Sequence, residues 1–290
     1  MSRVCVIGGS GFLGSHVADK LSELGHDVAV VDKQKSIWLK SNQEMIFADL
    51  LDSNSIDNAL KGAEVVYNFA GLADLNLALT MPVKTIELNV LGNMYILESC
   101  RKAGVKRYLY ASTIYVYSRE GGFYRCSKQA AEHYIEEYQN IYGLDYTILR
   151  YGSLYGPRAG EDNGLYRIVR DALKQGYISY EGDPDSVREY IHVEDAAYAS
   201  AVALGTEFLN QNVTLTGQQS MRVNDLLNML AEILGFEDPP EFRGENYAGH
   251  YVRTPYAYQP KLGRKYSPST HVDLGQGLLQ IIGDIQQEPW

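Results

Sequence analysis

A doubly wound α/β fold is what the 290-residue chain predicts: a buried parallel sheet with helices on both faces, and a smaller C-terminal region. Three observations lead there. Short apolar runs alternate with amphipathic stretches of helical length over the first half. The first of those runs ends in a glycine-rich turn, and after residue 150 the alternation gives way to a loop-rich pattern.

Taken in order, strands are expected at residues 4–7, 28–31, 45–47, 65–69, 108–111 and 146–149, with helices at 12–24, 54–61, 82–103 and 124–142. Strand and helix in alternation build a parallel sheet covered on both sides. Residues 151–164 hold four glycines and a proline and read as loop. Helices then fit 164–175, 194–204 and 223–234, and a short strand fits 213–216. Residues 1–150 and 188–217 are assigned to the sheet domain, and 151–187 with 218–290 to a cap that would bind substrate.

The bulk composition narrows the function. With 45% hydrophobic and 21% charged residues the chain is an ordinary globular one. A formal charge of -10 and a pI near 5.1 argue against a broad basic surface for nucleic acid or anionic lipid. The three cysteines, Cys5, Cys100 and Cys126, are too scattered for a disulfide framework, and the histidines show no metal-ligand spacing, so no metal is expected. No apolar stretch approaches the length of a membrane span, so a cytoplasmic protein without a membrane partner is expected.

The opening V-C-V-I-G-G-S-G-F-L-G-S-H sets Gly8, Gly11 and Gly14 directly after the first strand and into the first helix. Glycine serves there for a tight turn, for close backbone approach to a pyrophosphate and for close packing of helix on strand. The helix start adds free N–H groups and a positive dipole end. Around this turn Ser10, Phe12 and Leu13 are candidate cofactor residues too. Asp32 ends the second strand, 18 residues beyond Gly14. A carboxylate there accepts hydrogen bonds from ribose hydroxyls and repels a 2'-phosphate, which favours NAD over NADP. Lys33 is a counter-signal, since a neighbouring cation tolerates that phosphate. Asp49 and Leu50 after the third strand, and Phe69, Ala70 and Gly71 after the fourth, sit where a dinucleotide needs contacts; taken singly, each is also plain turn chemistry.

In F-Y-R-C-S-K, Tyr124 and Lys128 are i and i+4 and share a helix face. An ammonium near a phenol stabilises phenolate and lowers its pKa, making tyrosine usable as a general base. Alone, such a pair is common by chance. The strand-end A-S-T-I-Y-V-Y upstream adds Ser112 and Thr113 at the carboxyl edge of the sheet, where ligands of doubly wound folds bind.

Together, G-G-S-G-F-L-G, N-F-A-G, S-T-x-x-V-Y, Y-x-x-x-K, L-R-Y-G-S-L-Y-G-P-R and R-E-Y-I-H-V-E-D resemble the extended short-chain dehydrogenase/reductase family. Within it, the chain is most similar to the NAD-dependent nucleotide-sugar epimerases and dehydratases. The resemblance covers residues 1 to about 205 and implies a Rossmann-type fold and a nucleotide-diphosphate sugar as substrate. It implies that Tyr124 takes the proton from a sugar hydroxyl, that Thr113 hydrogen-bonds the reacting oxygen, and that Lys128 holds the nicotinamide ribose. By the same resemblance Asn89 supports the cofactor, Tyr151 lies beside the nicotinamide, and Ser153, Arg188 and Arg253 are substrate candidates. The helices 82–103 and 124–142 pair into a dimer interface in the family, so a homodimer is expected.

Several positions depart from the family pattern. Dehydratases of the family carry Asp-Glu after the catalytic threonine, where this chain has Ile114-Tyr115, which disfavours 4,6-dehydration and decarboxylation. The link S-R-E-G-G-F before Tyr124 is short, Ser153 replaces a usual asparagine, and Ala73 replaces a frequent lysine. The leading expectation is epimerisation at carbon 4. The alternatives are net oxidation or reduction of the sugar, or a non-catalytic dinucleotide sensor.

Overall fold

The computed structural model describes residues 1–243 and 263–287. Eight parallel strands form its main sheet in the order β13-β10-β6-β5-β4-β1-β2-β3. In chain order they are β1 (Arg3–Ile7), β2 (Asp27–Asp32), β3 (Gln43–Phe47), β4 (Val65–Asn68), β5 (Arg107–Thr113), β6 (Asp145–Tyr151), β10 (Gln211–Leu215) and β13 (Arg264–Lys265). The helices between the first six strands are α1 (Phe12–Glu23), α2 (Ser53–Ala59), α3 (Leu75–Thr80), α4 (Pro82–Ile86), α5 (Gly92–Ala103) and α6 (Gly122–Tyr142).

The inner strands are buried on both faces, and their period of two sorts their side chains between two cores. Val4, Val6, Val28 and Val30 join Leu13, Val17 and Leu21 of α1, while Cys5, Ile7, Ala29 and Val31 join Ile56, Ile96 and Ile135 on the opposite face. Each such side chain contributes about 1.5–3 kcal/mol by leaving water, so a change such as Leu21→Ala would open a cavity worth about 2–5 kcal/mol.

Beyond β6 come β7 (Ser153–Tyr155), α7 (Gly164–Gln175), β8 (Ser179–Tyr180), β9 (Val187–His192) and α8 (Val193–Val202). After β10 follow β11 (Ser220–Arg222), α9 (Val223–Leu234), β12 (Glu241–Phe242) and, after β13, α10 (Leu274–Gln287). α7 starts where Asn163 accepts from the Tyr166 amide and stops where Gly176 turns left-handed at φ +78, the two local signals that bound a helix. Helices α7, α9 and α10 share a third core built from Leu165, Val169, Leu226, Leu230, Leu278 and Ile281.

Four findings differ from the sequence expectation. The helix expected at 82–103 is three pieces, because a π-helical turn at Glu87–Leu91 separates α4 from α5. Helix α3 and the C-terminal α10 were not anticipated. Strand β9 pairs with β7 and β11 in a separate three-stranded sheet, so of residues 188–217 only β10 reaches the main sheet. Conversely, residues 264–265, expected in the cap, pair with β10 at the sheet edge. The six-residue α3 and the two-residue β13 carry too few residues for periodicity to register, whereas α10 is long enough and was missed in a tail that reads as Pro-, Gly- and Tyr-rich.

Candidate active site

The glycine turn is a backbone cradle. Gly8 leaves β1 at φ +76, and a Cβ on it would lie 2.6 Å from the Ala70 nitrogen and 2.8 Å from the Phe69 carbonyl carbon. At Gly14 a Cβ would come 2.3 Å from the Gly8 oxygen. Gly11 caps α1 with no side-chain hydrogen bond to its first turn, which leaves those amides for an anion. Asp32 is drawn over the turn, one carboxylate oxygen accepting from the Ser10 amide at 3.1 Å and the other from the Gln34 amide at 3.1 Å. The Ser10 hydroxyl donates to the Gln34 carbonyl at 2.9 Å, and Lys33 is exposed. These residues fit a dinucleotide: side chains are excluded where its pyrophosphate must approach, and a carboxylate stands at the strand end.

Neighbouring strand ends complete the rim. Phe12 is partly exposed with its ring edge-on to His16 at 6.3 Å, while Leu13 turns into the core. Asp49 accepts from the Leu51 amide at 2.9 Å, and Leu50 is buried where a Cβ on Gly92 would strike it at 2.4 Å. The Phe69 amide donates to the Ile7 carbonyl at 2.8 Å and Ala70 to the Asn68 side chain at 3.0 Å. Gly71, at φ +147, leaves 2.5 Å between a Cβ and the Asn89 carbonyl oxygen. Asn89 sits in the π-helical turn, accepts from the Leu72 amide at 2.7 Å, and donates to the Leu72 carbonyl and the Ser127 hydroxyl, each at 2.9 Å. Those three bonds offset the poorer helical geometry of the turn.

Thr113, Tyr124 and Lys128 converge one strand further along. Thr113 ends β5 with its hydroxyl near enough to the Tyr124 phenol to favour the phenolate. Lys128 is buried, donates to the Ala111 carbonyl at 2.7 Å, and stands 4.7 Å from the Tyr110 ring centre and 5.8 Å from that of Tyr124. The expectation that the ammonium lowers the phenol pKa is not met in this state. Burial pushes Tyr124 up to about 12, with the Thr113 hydroxyl working the other way. Burial also lowers Lys128 to about 8, opposed by the Glu132 carboxylate. The reason is geometric: the lysine turns its ammonium to a carbonyl rather than to the phenol oxygen.

Behind this trio lies a buried ionic floor. Glu132, one turn past Lys128, accepts from Arg150 at 2.6 and 3.0 Å and from the Ser112 hydroxyl at 2.5 Å. Burial alone disfavours the Arg150 charge, but the Glu132 bonds win and raise its pKa. Arg150 also donates to the Tyr117 hydroxyl at 2.8 Å, and the Gly263 amide donates to the same oxygen at 3.1 Å.

A cleft of about 450 Å³ opens beside Tyr115, between the sheet edge and the cap. Ser153 and Arg188 line it, as do Asp74, Asn76 and Arg167 from segments that sequence reasoning did not single out. Asp74 was findable, since it caps α3 by accepting from the Leu77 amide at 2.8 Å just before an apolar run. Tyr151 is buried on the other face of β6, its hydroxyl sharing a 2.7 Å hydrogen bond with Ser200. His192 is buried and caps α8, accepting from the Glu194 amide at 3.4 Å. Arg253 lies outside the described residues.

Known proteins share this fold. A relative from Methanocaldococcus jannaschii, provisionally named a UDP-glucose 4-epimerase, is 30% identical over 256 residues, which are 80% of this chain and 83% of that one. The UDP-glucose 4-epimerase of Thermotoga maritima, solved with UDP-glucose, superposes with a TM-score of 0.84 at 27% identity, covering 98% of this chain and 99% of that one. The UDP-glucose 4-epimerase of Thermus thermophilus, solved with NAD, gives 0.81 at 28% identity over the same shares. A UDP-glucuronic acid decarboxylase and a dTDP-glucose 4,6-dehydratase also stand among the relatives, so the family is broader than one reaction. Residues 4–213 match the model of the NAD dependent epimerase/dehydratase family. The chain belongs to that family of NAD-dependent enzymes, an extended short-chain dehydrogenase/reductase with a Rossmann-type fold.

Proposed function

We propose that the chain is a nucleotide-sugar 4-epimerase acting on a UDP-sugar. The observation that carries this reading is the convergence on Tyr124 of Thr113, of the Lys128 ammonium 5.8 Å from its ring centre, and of the Tyr115 ring that lines the 450 Å³ cleft. Gly8, Ser10, Gly11, Phe12, Leu13, Gly14 and Asp32 hold the phosphates and adenosine ribose of NAD, with Lys33, Asp49, Leu50, Phe69, Ala70, Gly71, Asn89 and Tyr151 around the rest. When bound, NAD supplies the two-electron acceptor for a sugar carbinol and a positive ring that favours phenolate.

Tyr124 takes the sugar hydroxyl proton and later returns it, and Thr113 fixes the reacting oxygen at hydrogen-bonding distance. Lys128 keeps a cation within the site, and Ser153, Arg188 and Arg253 hold the diphosphate end. The absence of a carboxylate at Ile114 and Tyr115 supports epimerisation over elimination, because no second acid or base stands next to Thr113 in the chain. In domain terms, the main sheet with its glycine turn serves the cofactor, and the segments at 73–76, 153–171 and 179–190 that line the cleft serve the sugar nucleotide.

Purified protein turning over UDP-glucose to its 4-epimer with no net change in the NADH absorbance band is the expected result. Build-up of NADH in step with product would make it a dehydrogenase instead, and failure of any sugar nucleotide to react would leave only a dinucleotide-binding role.

The homodimer reading rests on apolar side chains without cover in the single chain: Val83 and Ile86 on α4, Leu91 in the π-helical turn, and Ile141 on α6 are 70, 56, 42 and 66% exposed. A second copy packing on these helices would bury them, and a dimeric mass by light scattering is expected. A cytoplasmic location accords with a chain in which no helix among the described residues is long and apolar enough to cross a membrane.

A further inference from the structure

The 3-10 turn after Thr113 buries Ile114, Val116 and Tyr117 and leaves Tyr115 half-open to the cleft. The Tyr115 ring meets Tyr124 edge-on, with centroids 6.3 Å apart. Glycines stand opposite for a steric reason. At Gly121, φ +89, a Cβ would lie 2.7 Å from the Tyr115 ring, and at Gly122, φ +48, 2.9 Å from Leu79 near the end of α3. The glycine pair therefore lets the chain pass directly against Tyr115 and enter α6 without a longer lid.

The charge of the cleft is the second observation. Its described lining holds four carboxylates, Asp74, Asp162, Asp171 and Glu181, against two guanidiniums, Arg167 and Arg188. Arg167 pairs with Asp74 at 3.6 Å and Arg170 with Asp171 at 2.6 Å, which leaves Asp162 and Glu181 as the cleft carboxylates outside these two pairs. A nucleoside diphosphate brings negative charge of its own, and a carboxylate on the sugar would add more beside this acidic lining. An aromatic wall, by contrast, offers apolar contact to the C–H face of an uncharged sugar ring.

We infer that the cleft selects a nucleotide-activated neutral sugar over a uronic acid, with Tyr115 as the wall on which the sugar ring packs. This rests on the epimerase reading above and adds the substrate class to it.

The test compares UDP-glucose with UDP-glucuronate, resolving the 4-epimers by chromatography and measuring binding by calorimetry in the NAD-loaded enzyme. A kcat/KM about tenfold or more in favour of UDP-glucose is expected, the effect of one unfavourable charge contact. Tyr115→Ala should weaken UDP-glucose binding about tenfold while free UDP binds as before, and Tyr115→Phe should bind like the wild type. Equal or better turnover of UDP-glucuronate would overturn the inference and leave the epimerase reading standing. Equal loss of UDP-glucose and UDP binding in Tyr115→Ala would overturn the role given to the wall. If neither sugar reacts, the epimerase reading fails, and the calorimetric preference between the two still decides the charge selection.

Discussion

The two halves of the site are built by opposite means. The cofactor side is made of backbone: Gly8 and Gly14 are forced by contacts of 2.6 and 2.3 Å that no side chain survives, within one continuous turn. The cleft proposed for the sugar is made of side chains gathered from α3, the 3-10 turn, β7, α7 and β9, outside the glycine turn. A backbone cradle tolerates one class of ligand and persists across a family; a mosaic of side chains lets the substrate drift. That contrast accounts for relatives with one cofactor and several reactions.

Substitutions along this divide sharpen it, beginning with the chemistry itself. Tyr124→Phe should lower kcat about a thousandfold, the span of a lost general base, while NAD affinity by calorimetry stays within a factor of about two. Activity within a few-fold of wild type would remove Tyr124 from the catalytic role. Next comes the floor shared by both halves: Glu132→Ala leaves Arg150 buried without its carboxylate and should cost about 3–5 kcal/mol in urea unfolding. A loss under about 1 kcal/mol would mean that Ser112, Tyr117 and their neighbours solvate the guanidinium unaided.

On the cofactor side, Gly14→Ala should cost about 1–3 kcal/mol of stability by overpacking and also weaken NAD, with both losses visible in one denaturation series run with and without cofactor. Normal NAD affinity in a destabilised variant would separate the turn's folding role from its binding role. The smallest change is Asp32→Ala, expected to weaken NAD about tenfold with little effect on NADP, measured by competitive binding. A parallel loss for both nucleotides would show that Asp32 only braces the Ser10 and Gln34 amides.

How much of this was legible in the sequence follows the same line. The glycine turn and α7 could be read because their causes are local: a positive φ at Gly8, an Asn163 cap, a Gly176 stop. Thr113 and Tyr124 are legible as a combination, and the structure brings them close enough for the threonine hydroxyl to act on the phenol. The direction of the Tyr124 pKa was not readable, because it depends on burial and on Lys128 choosing the Ala111 carbonyl over the phenol. The π-helical turn was hidden too, since residues 82–103 carry apolar side chains on more than one face and the phase shift from one extra residue in the ladder does not stand out. Tyr115 read only as a missing acid or base; its place as a wall needed the glycines at 121 and 122 in three dimensions.

The bond from the Gly263 amide to the Tyr117 hydroxyl spans 146 residues of chain. During synthesis the cradle, Thr113, Tyr124 and Lys128 leave the ribosome long before Gly263 does, and domains assemble as their segments emerge. The floor beneath the active site and the outer edge of β10 are therefore finished last, by a segment that contributes two residues to the sheet. Without that segment Tyr117 would lose one donor and β10 its outer partner, so the floor beneath the active site depends on residues far along the chain from the catalytic candidates.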